Sequence, residues 1–554
     1  MTATWVLGRA LICTTLISIG ACRGANQSPE IAIALQHVLA EKPPTPIATA
    51  LEHLLAGKPP TPIADVWTDV RAFYAARQNA PAWVADRNAS KATAALQVLR
   101  TAPEHGFGAT DYDEAGLTAD VEALKNGNDD ANRVERLAVL DARITTALLA
   151  LGRDIALGRS TPASIDRQWK ARRQAPDFAG LLVQAADGDP TTWPDAVRPQ
   201  HPEYAALEKV LSGLHAQRDK GGWPIVPSRM YKIGEEDPSV VTLRERLTAS
   251  GNLSAAGATS GSAVYAADID AAVRSFQAQH GIKATGLVDK TTLAAMNVPI
   301  DDRIRQVEIN LERWRWMPGD FGARHFLVNI PSFMLMARED GKTALEMRVV
   351  VGKPGHETPI FSGDMANVVF SPYWNVPDSI AEDETAPLAA RDPGYLTRNN
   401  MEVFRGTTRV DESEVNWGSP DELRKLVFRQ RPGAGNALGR VKFLFPNPYN
   451  VYLHDTPAQS LFARTGRAFS HGCVRVEEPE ALAKYVLRGD AEWDEPRMLA
   501  AMRSGVEKYV RLKETIPVHI VYFTVWVDER NAVHFLPDVY GYDDKQMKLS
   551  AIPD

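Results

Sequence analysis

Apolar and polar positions follow a helical spacing over the first half of the chain and an alternating spacing over much of the second half. From about residue 66 to 230 the pattern is alanine-rich and helical, as in the segment from Asn132 to Ala150. Shorter amphipathic helices are predicted within residues 231–298. After residue 299 the alternation predicts strands, with a hairpin turn at Asp340-Gly341. These periods together predict a multi-domain α+β protein.

A polar segment from about residue 378 to 437 interrupts the strands of the second half. Its composition favours helix, and a connection of this length between strands is usually a lid or a binding loop. Its glycines fit no phosphate-binding spacing. We therefore predict a β-rich domain over residues 299–540 with a lid inserted at 378–437, followed by a C-terminal tail at 541–554.

The N-terminus has the pattern of a secretory signal. Arg9 precedes an apolar run, Ala10–Ala21, which is too short to span a bilayer as a helix. The string Ile19-Gly-Ala-Cys22 resembles a lipobox, in which the chain is cut before a cysteine that is then acylated. The alternative is an ordinary cleavage site near Ala21. We predict a signal peptide over residues 1–22, with Cys22 as the candidate lipidation site.

A tandem repeat follows the signal. The segment from Ile31 to Pro46 recurs nearly intact from Ile47 to Pro62, and each copy ends in Pro-Pro-Thr-Pro. Two copies are too few for a solenoid. We predict that residues 23–65 are a semi-rigid linker between the membrane and the body of the protein.

Composition narrows the class of protein. A chain of 554 residues is too long for one core and should form about three domains. Its net charge is −7, and no basic tract is interleaved with aromatic residues, so we expect no nucleic-acid partner.

The chain has three cysteines, and two of them, Cys13 and Cys22, lie in or beside the predicted signal. Cys473 therefore stands alone in the exported protein and cannot close an internal disulfide. It lies in the string Ala468-Phe-Ser-His-Gly-Cys-Val-Arg475, between a glycine and an arginine and close to a histidine. A thiol in these surroundings is typical of a nucleophile.

A second string, Val451-Tyr-Leu-His-Asp-Thr-Pro457, precedes the cysteine. Together the two strings resemble the catalytic signature of the L,D-transpeptidases, bacterial enzymes that cross-link peptidoglycan through a cysteine acyl-enzyme. The flanks of the insertion and the segment Phe73–Trp83 resemble the capping subdomain and helical scaffold of the large members. The strings Phe276-Gln-x-x-His-Gly281 and Thr292-x-x-x-Met-Asn297 resemble a peptidoglycan-binding domain, with a plain support module as the alternative.

The resemblance implies roles for particular residues. It makes Cys473 the nucleophile and His454 the general base, while His471, the neighbour of the cysteine in a tight turn, is the competing candidate. Strand alternation puts Tyr452 on the face of His454, where it would contact substrate.

The remaining assignments concern the surroundings of the thiol. Ser470, His471 and Gly472 would shape a turn whose backbone N–H groups stabilise an oxyanion. Arg475 would bind a substrate carboxylate or, alternatively, form a solvated pair. Asp455 would orient His454, through either its backbone carbonyl or its carboxylate.

The function implied is that of an exported L,D-transpeptidase without metal or organic cofactor. Its partners would be the donor tetrapeptide and the acceptor diaminopimelate of peptidoglycan stems, with carbapenems as covalent inhibitors and the membrane reached through a lipid anchor. The location would be the periplasm or cell envelope, or the outer membrane if Cys22 is acylated. Alternatives are an L,D-carboxypeptidase, an enzyme that attaches or releases wall proteins, and a non-catalytic wall-binding scaffold.

The pairing of a thiol with an imidazole also predicts an ionisation state. If His454 and Cys473 form an ion pair, the pKa of the thiol should lie below its free value of about 8.5. The pKa of the imidazole should lie above its free value of about 6.5.

Overall fold

The computed structural model describes residues 45–57, 64–85, 89–126, 132–170, 173–254, 257 and 261–550. The predicted signal peptide, Cys22 and the first copy of the repeat as far as residue 44 lie outside these residues. No helix in the described part of the chain is long and apolar enough to cross a membrane.

The first domain is helical, as its apolar spacing predicts. A buried carboxylate joins its long central helix to the Phe73–Trp83 segment: Asp141 accepts the Tyr74 hydroxyl at 2.6 Å and the Trp83 N–H at 2.8 Å. Its helices are α1 (Pro46–Ala56), α2 (Ala64–Ala76), α3 (Ser90–Arg100), α4 (Glu114–Asn126), α5 (Arg133–Leu157), α6 (Pro162–Ile165), α7 (Phe178–Asp187), α8 (Trp193–Val197) and α9 (Pro202–Asp219).

The second copy of the repeat is not a spacer, contrary to the expectation from its sequence. It forms α1, whose Leu51 and Leu55 are buried in the same apolar core as α5. Thr45 caps this helix by accepting the N–H of Ala48 at 3.2 Å. An apolar stripe on a short helix is stabilised mainly by packing against a neighbour, and here α5 provides that surface.

Three helices build the second domain, as predicted: α10 (Ser239–Ala249), α11 (Ala267–Gln279) and α12 (Lys290–Met296). The motif residues serve its own structure. Phe276 is in the core and stacks on His280, while the buried Gln277 side chain accepts the N–H of Gly286 at 2.9 Å. The resemblance of this string therefore reflects the packing of the domain and does not by itself indicate a ligand.

Helix α13 (Ile300–Arg315) connects the domains. Two of its buried arginines point to different partners: Arg315 donates to the Tyr204 hydroxyl of the helical domain, whereas Arg313 pairs with Asp543 at 2.7 Å. Between them, Trp314 stacks on Phe523 of the β-rich domain with ring centroids 4.4 Å apart. The Arg-Trp-Arg string thus holds the helical and β-rich domains against each other.

The β-rich domain is built on a sheet of nine strands in the order β11-β3-β12-β10-β9-β4-β13-β1-β2. Because β2 also pairs with β3, the strands close on themselves around an apolar core. The strands are β1 (Arg324–Asn329), β2 (Met334–Glu339), β3 (Lys342–Gly352), β4 (Phe361–Phe370), β9 (Val441–Leu444), β10 (Leu453–His454), β11 (Ala468–Ser470), β12 (Val474–Val476) and β13 (Lys508–Val521), with β14 (Val525–Val527) and β15 (Val533–Phe535) as a separate hairpin.

The insertion differs from the helix-leaning segment that its composition predicts. It carries strands of a second sheet, in the order β5-β8-β6-β7, and a small core of its own that includes Val403 and Phe428. Its strands are too short for alternation to stand out from the polar background. Strand β5 (Trp374–Asn375) lies just before the insertion, whose own elements are α14 (Asp378–Ile380), a π-helical turn (Ala381–Thr385), α15 (Ala386–Arg391), α16 (Tyr395–Arg398), β6 (Met401–Arg405), β7 (Thr408–Val410), α17 (Pro420–Leu423) and β8 (Leu426–Gln430).

The end of the chain is also more ordered than the predicted tail. After α18 (Pro479–Leu487) and α19 (Glu495–Arg503), a last helix, α20 (Tyr542–Ser550), packs on α13 through the Arg313–Asp543 pair. Strand β10 begins only at Leu453, and Asn450 before it has a φ of 55°.

Candidate active site

Two neighbouring strands bring the two predicted catalytic strings together. β10 and β12 pair in parallel with His454 opposite Arg475, and the N–H of Val474 donates to the carbonyl of Tyr452 at 3.2 Å. Since side chains alternate along a strand, Tyr452 and His454 share one face with Cys473 and Arg475. The rings of Tyr452 and His454 are 5.7 Å apart, centroid to centroid.

The sulfur of Cys473 is half-buried and lies among polar groups of the 450–452 segment. Both the hydroxyl and the backbone N–H of Tyr452 hydrogen-bond to it, and the carbonyl of Asn450 is 3.8 Å from the sulfur. The two donors favour the thiolate, while the carbonyl is placed to accept the S–H of the neutral thiol. This sulfur therefore has partners in both protonation states.

The imidazole of His454 is held in one tautomer. Its Nδ1 is 2.6 Å from the backbone carbonyl of Asp455, which can only accept a hydrogen bond, so Nδ1 carries the proton. Nε2 is then the basic nitrogen of the ring. Of the two orienting groups that the sequence left open, it is thus the carbonyl of Asp455 that contacts the ring.

The Asp455 carboxylate accepts backbone N–H groups instead, and the space that it occupies requires a glycine at position 439. It accepts the N–H of Arg440 at 2.7 Å and that of Thr456 at 2.6 Å. Gly439 has a φ of +60°, and a Cβ there would lie 2.3 Å from the Asp455 carboxyl carbon. Gly439 therefore supports the segment that holds His454, a role that its position in the insertion flank did not suggest.

The pKa shifts contradict the expected ion pair. Burial raises the pKa of the Cys473 thiol, against the opposing effect of the Tyr452 hydrogen bonds and Arg475. Burial and the nearby charge of Arg475 lower the pKa of His454 to about 3. Both shifts favour the neutral forms, a thiol and a neutral imidazole, over the ion pair. The sequence predicted the opposite because it does not reveal burial.

The turn before Cys473 is braced from inside and outside. Within the turn, the Ser470 hydroxyl donates to the carbonyl of Cys473 and accepts the N–H of Gly472 at 3.2 Å. From outside, the Thr358 hydroxyl donates to the carbonyl of Gly472 at 2.8 Å, and Tyr540 in turn accepts the N–H of Thr358 at 3.1 Å. Thr358 and Tyr540 carry no motif that sequence reasoning recognised.

One backbone donor of this turn is available for a ligand. The N–H of Gly472 is engaged by Ser470, whereas no protein acceptor receives the N–H of Cys473 within the described ranges. Gly472 has a φ of 110°, which favours glycine, and its lack of a side chain leaves the approach to the turn open. A developing oxyanion on a carbonyl attacked by the sulfur would meet this N–H.

Two cationic side chains, Arg475 and Lys442, lie opposite His454 on the neighbouring strands. Burial lowers the pKa of Arg475, and its Nε is buried without a hydrogen-bond partner among the described atoms. Lys442 lies with its Nζ 6.0 Å from the centre of the Tyr452 ring and is itself mostly buried. A half-buried guanidinium whose Nε has no partner, beside a thiol, is well suited to a carboxylate.

His471 points towards the insertion rather than into the pairing of β10 and β12. Its Nε2 is 2.9 Å from the Glu384 carboxylate, in the π-helical turn of the insertion, and 3.4 Å from Lys353. Burial lowers the pKa of His471, and Glu384 acts in the opposite direction.

Among the described residues, no group of three or more His, Cys, Asp or Glu side chains is placed to hold a metal ion.

Three segments of the chain also match the models of known protein domains. Residues 323–499 match the L,D-transpeptidase catalytic domain, residues 68–211 the "Scaffold domain" and residues 236–296 the "Putative peptidoglycan binding domain". Residues 323–499 are thus similar to the L,D-transpeptidase catalytic domain, in a chain that also matches two further domain models.

Individual relatives extend this comparison. The chain is 38% identical over 250 residues to a "Putative L,D-transpeptidase" of Haemophilus influenzae, which is 45% of this chain and 50% of that protein. It thus spans about half the length of this curated relative.

Solved structures give weaker matches. The L,D-transpeptidase (Yku) of Stackebrandtia nassauensis is 15% identical, with 54% of this chain and 96% of that one covered and a TM-score of 0.21. L,D-transpeptidase 3 of Mycobacterium tuberculosis is 14% identical, with 37% and 63% covered and a TM-score of 0.18.

Proposed function

We propose that this protein is an exported peptidoglycan L,D-transpeptidase that forms cross-links between diaminopimelate residues through a Cys473 acyl-enzyme. The arrangement of Tyr452, His454, Cys473 and Arg475 on one face of β10 and β12 carries the proposal. The match of residues 323–499 to the catalytic domain supports it independently.

The neutral resting pair suggests how acylation begins. A donor stem binds with a carboxylate at Arg475, and its carbonyl between diaminopimelate and D-alanine lies against the N–H of Cys473. Nε2 of His454 takes the thiol proton as the sulfur attacks, so the thiolate forms only as it is consumed. His454 then protonates the departing amine of D-alanine, which leaves a thioester on Cys473.

The second half of the reaction uses the same groups. The side-chain amine of an acceptor diaminopimelate attacks the thioester carbonyl, the C–S bond breaks, and the proton lost by the amine returns through His454 to the sulfur. The Cys473 N–H stabilises the oxyanion in both halves. The Tyr452 hydroxyl stabilises sulfur whenever it carries negative charge, and Ser470 and His471 belong to the supporting turn.

The cellular setting is part of the proposal. The envelope is where a peptidoglycan-binding domain and an L,D-transpeptidase domain would find their substrate. The N-terminal sequence supports export to the periplasm, and Cys22, if acylated, would anchor the protein to the outer membrane. Carbapenems, which acylate thiols of this kind, would be covalent inhibitors at Cys473.

The same fold and acyl-enzyme could serve two other reactions, which differ in the group that attacks the thioester. With water in place of the amine the enzyme is an L,D-carboxypeptidase, and with a protein lysine it attaches or releases wall proteins. A non-catalytic scaffold is the third alternative, and the hydrogen-bonded surroundings of the Cys473 sulfur argue against it.

Intact-mass spectrometry with purified muropeptides tests the proposal. The wild-type protein should gain the mass of the donor minus D-alanine and then release dimers, whereas Cys473→Ala should do neither. His454→Ala should slow acylation far more than His471→Ala. Cross-linking by Cys473→Ala would refute the mechanism, trimmed tripeptides without dimers would indicate a carboxypeptidase, and the absence of any adduct with substrate or carbapenem would favour the scaffold.

A further inference from the structure

The tandem repeat near the N-terminus takes no part in the candidate active site. Its second copy provides α1, which packs on the helical domain through one face. The side chains of that face are buried or partly buried: Ile47, Ala48, Ala50, Leu51 and Leu55. The other positions of α1 are exposed. The surface that receives these five side chains, formed with α5, is called the α1-binding surface below.

The first copy of the repeat carries the same five side chains. The equivalent residues are Ile31, Ala32, Ala34, Leu35 and Leu39. Up to the Pro-Pro-Thr-Pro segment the copies differ only where the second copy exposes its residue, at Thr49, Glu52, Leu54 and Gly57. The first copy has Ile33, Gln36, Val38 and Glu41 there. It therefore offers the α1-binding surface an apolar face identical to that of α1.

Both copies also follow residues that favour the start of a helix. Thr45 caps α1 with its side-chain oxygen, and Pro46 stands in the first turn. Ahead of the first copy, Ser28 and Pro29 again place a hydroxyl residue before a proline. Glu30 follows them, where a negative charge favours a helix N-terminus. The first copy thus has a helix start of its own.

The connection to α2 distinguishes the two copies. Because α2 begins at Ala64, the second copy reaches it through residues 57–63, whereas the first copy would use residues 41–63. The probability of closing a loop falls with about the 3/2 power of its length, which favours the second copy about sixfold. Glu41 would replace Gly57, whose φ of −70° any residue adopts, with a Cβ 3.2 Å from a carbonyl oxygen. With equal apolar contacts, a factor of this size leaves both arrangements populated.

We propose that the first copy of the repeat is a second, competing occupant of the α1-binding surface, and that the two copies exchange on it within one molecule. The second copy is the major occupant, and the first copy replaces it in about one molecule in seven. This inference is independent of the reaction at Cys473.

The exchange changes the length of chain ahead of the bound helix. With the second copy bound, residues 23–44 separate Cys22 from the capping Thr45, and with the first copy bound only residues 23–27 precede Ser28. At about 3.5 Å per residue these segments span at most about 75 Å and about 18 Å. If Cys22 is acylated, the repeat gives the catalytic domain two limits of reach from the membrane.

Hydrogen exchange with mass spectrometry on the purified protein tests the competition, because peptides from the two copies differ in mass. Leu35→Ser and Leu51→Ser, singly and together, each remove an apolar contact from one copy. His37→Ser and His53→Ser change a position that α1 exposes and are the matched controls. Protection is measured separately for residues 31–41 and 47–57.

Competition predicts a gain of protection from a loss of apolar surface. In wild type the α1 amides exchange whenever the first copy is bound, which limits their protection to roughly sevenfold. Leu35→Ser removes the competitor and should slow exchange of residues 47–57 at least about threefold. Leu51→Ser should transfer protection to residues 31–41, the double variant should protect neither copy, and the histidine variants should match wild type.

Three results would overturn the proposal. They are exchange of residues 47–57 that Leu35→Ser leaves unchanged, residues 31–41 unprotected in Leu51→Ser, and protection of residues 31–41 that rises with protein concentration. The last would place the first copy on a second molecule. If Leu51→Ser does not fold, deletion of residues 47–62 joins the first copy to α2 with the original connection length. Residues 31–41 should then be protected at least as well as α1 is in wild type, and their free exchange would contradict the proposal.

Discussion

At the scale of single residues, Tyr452 is the group that distinguishes this thiol from a simply buried one. Its hydroxyl and N–H lower the pKa of Cys473, while burial raises it by more. We expect iodoacetamide alkylation of Cys473 to have its midpoint above about pH 8.5, the value of a free thiol. Tyr452→Phe removes one donor to the thiolate and should move the midpoint further up.

His454→Ala is the comparison for this titration. The neutral imidazole offers no charge to the resting thiolate, so this variant should leave the alkylation midpoint nearly unchanged while it slows acylation by substrate. Alkylation of the wild-type enzyme that persists well below pH 8, and is lost in His454→Ala, would instead establish the ion pair.

A second residue-scale prediction concerns Gly439. Gly439→Ala places a Cβ in a left-handed conformation and against the Asp455 carboxylate, at a cost of at least about 1–2 kcal/mol. We expect a lower free energy of unfolding and a larger loss of acylation rate, because Asp455 also orients His454. Gly435→Ala, where nothing lies within 4 Å of the added Cβ, is the control. Equal effects of the two substitutions would remove Gly439 from the support of the site.

At the scale of elements, the π-helical turn of the insertion is tied to the catalytic turn through Glu384 and His471. Burial keeps His471 neutral to a lower pH than usual, so the contact gains ionic character only as the pH falls through that pKa. Lys353 also faces the imidazole and opposes its protonation.

Hydrogen exchange of residues 381–385 measures this effect. Protection of the turn should increase as the pH is lowered below about 6.5, after correction for the intrinsic exchange rate. Glu384→Gln should abolish the increase, and Glu382→Gln, an exposed carboxylate on the same turn, should retain it. A pH response that survives in Glu384→Gln would mean that this pair does not hold the lid.

At the scale of the whole molecule, three histidines meet around Phe321, where the helical domain contacts the sheet. Its ring centroid is 4.3 Å from that of His201, 5.3 Å from that of His325 and 4.4 Å from that of His519. His519 donates to the Phe321 carbonyl and accepts from Ser362. Burial lowers the pKa of all three, that of His519 to about 4, although Asp320 acts against this shift.

These shifts predict acid sensitivity. Because the folded pKa of His519 lies below the unfolded value of about 6.5, the unfolded chain binds protons first as the pH falls. The contribution of neutral His519 to the free energy of unfolding is fully present above pH 6.5. It falls by roughly 3 kcal/mol as the pH is lowered towards 4. Urea unfolding at several pH values should show a shallower slope for His519→Gln than for wild type. The exposed His53→Gln should match wild type, and equal slopes for all three proteins would contradict the prediction.

The sequence by itself determined the broad architecture and the chemical groups. The change from helical to alternating periodicity located the helical and β-rich parts, because burial of one face imposes these periods directly. The lone Cys473 and the two strings around His454 and Cys473 identified a candidate nucleophile and base, because each string is local in the chain.

Only the tertiary structure decided the state and support of the site. The ionisation of Cys473 and His454 depends on desolvation by the residues that pack around them, and this burial disfavours the expected ion pair. Contacts within the folded site decide three features of its support. The Asp455 carbonyl holds the His454 ring, Gly439 leaves room for the Asp455 carboxylate, and Thr358 braces the turn before Cys473. Such contacts leave no periodic signal in the chain, since each is a single pairing set by how the strands fold together.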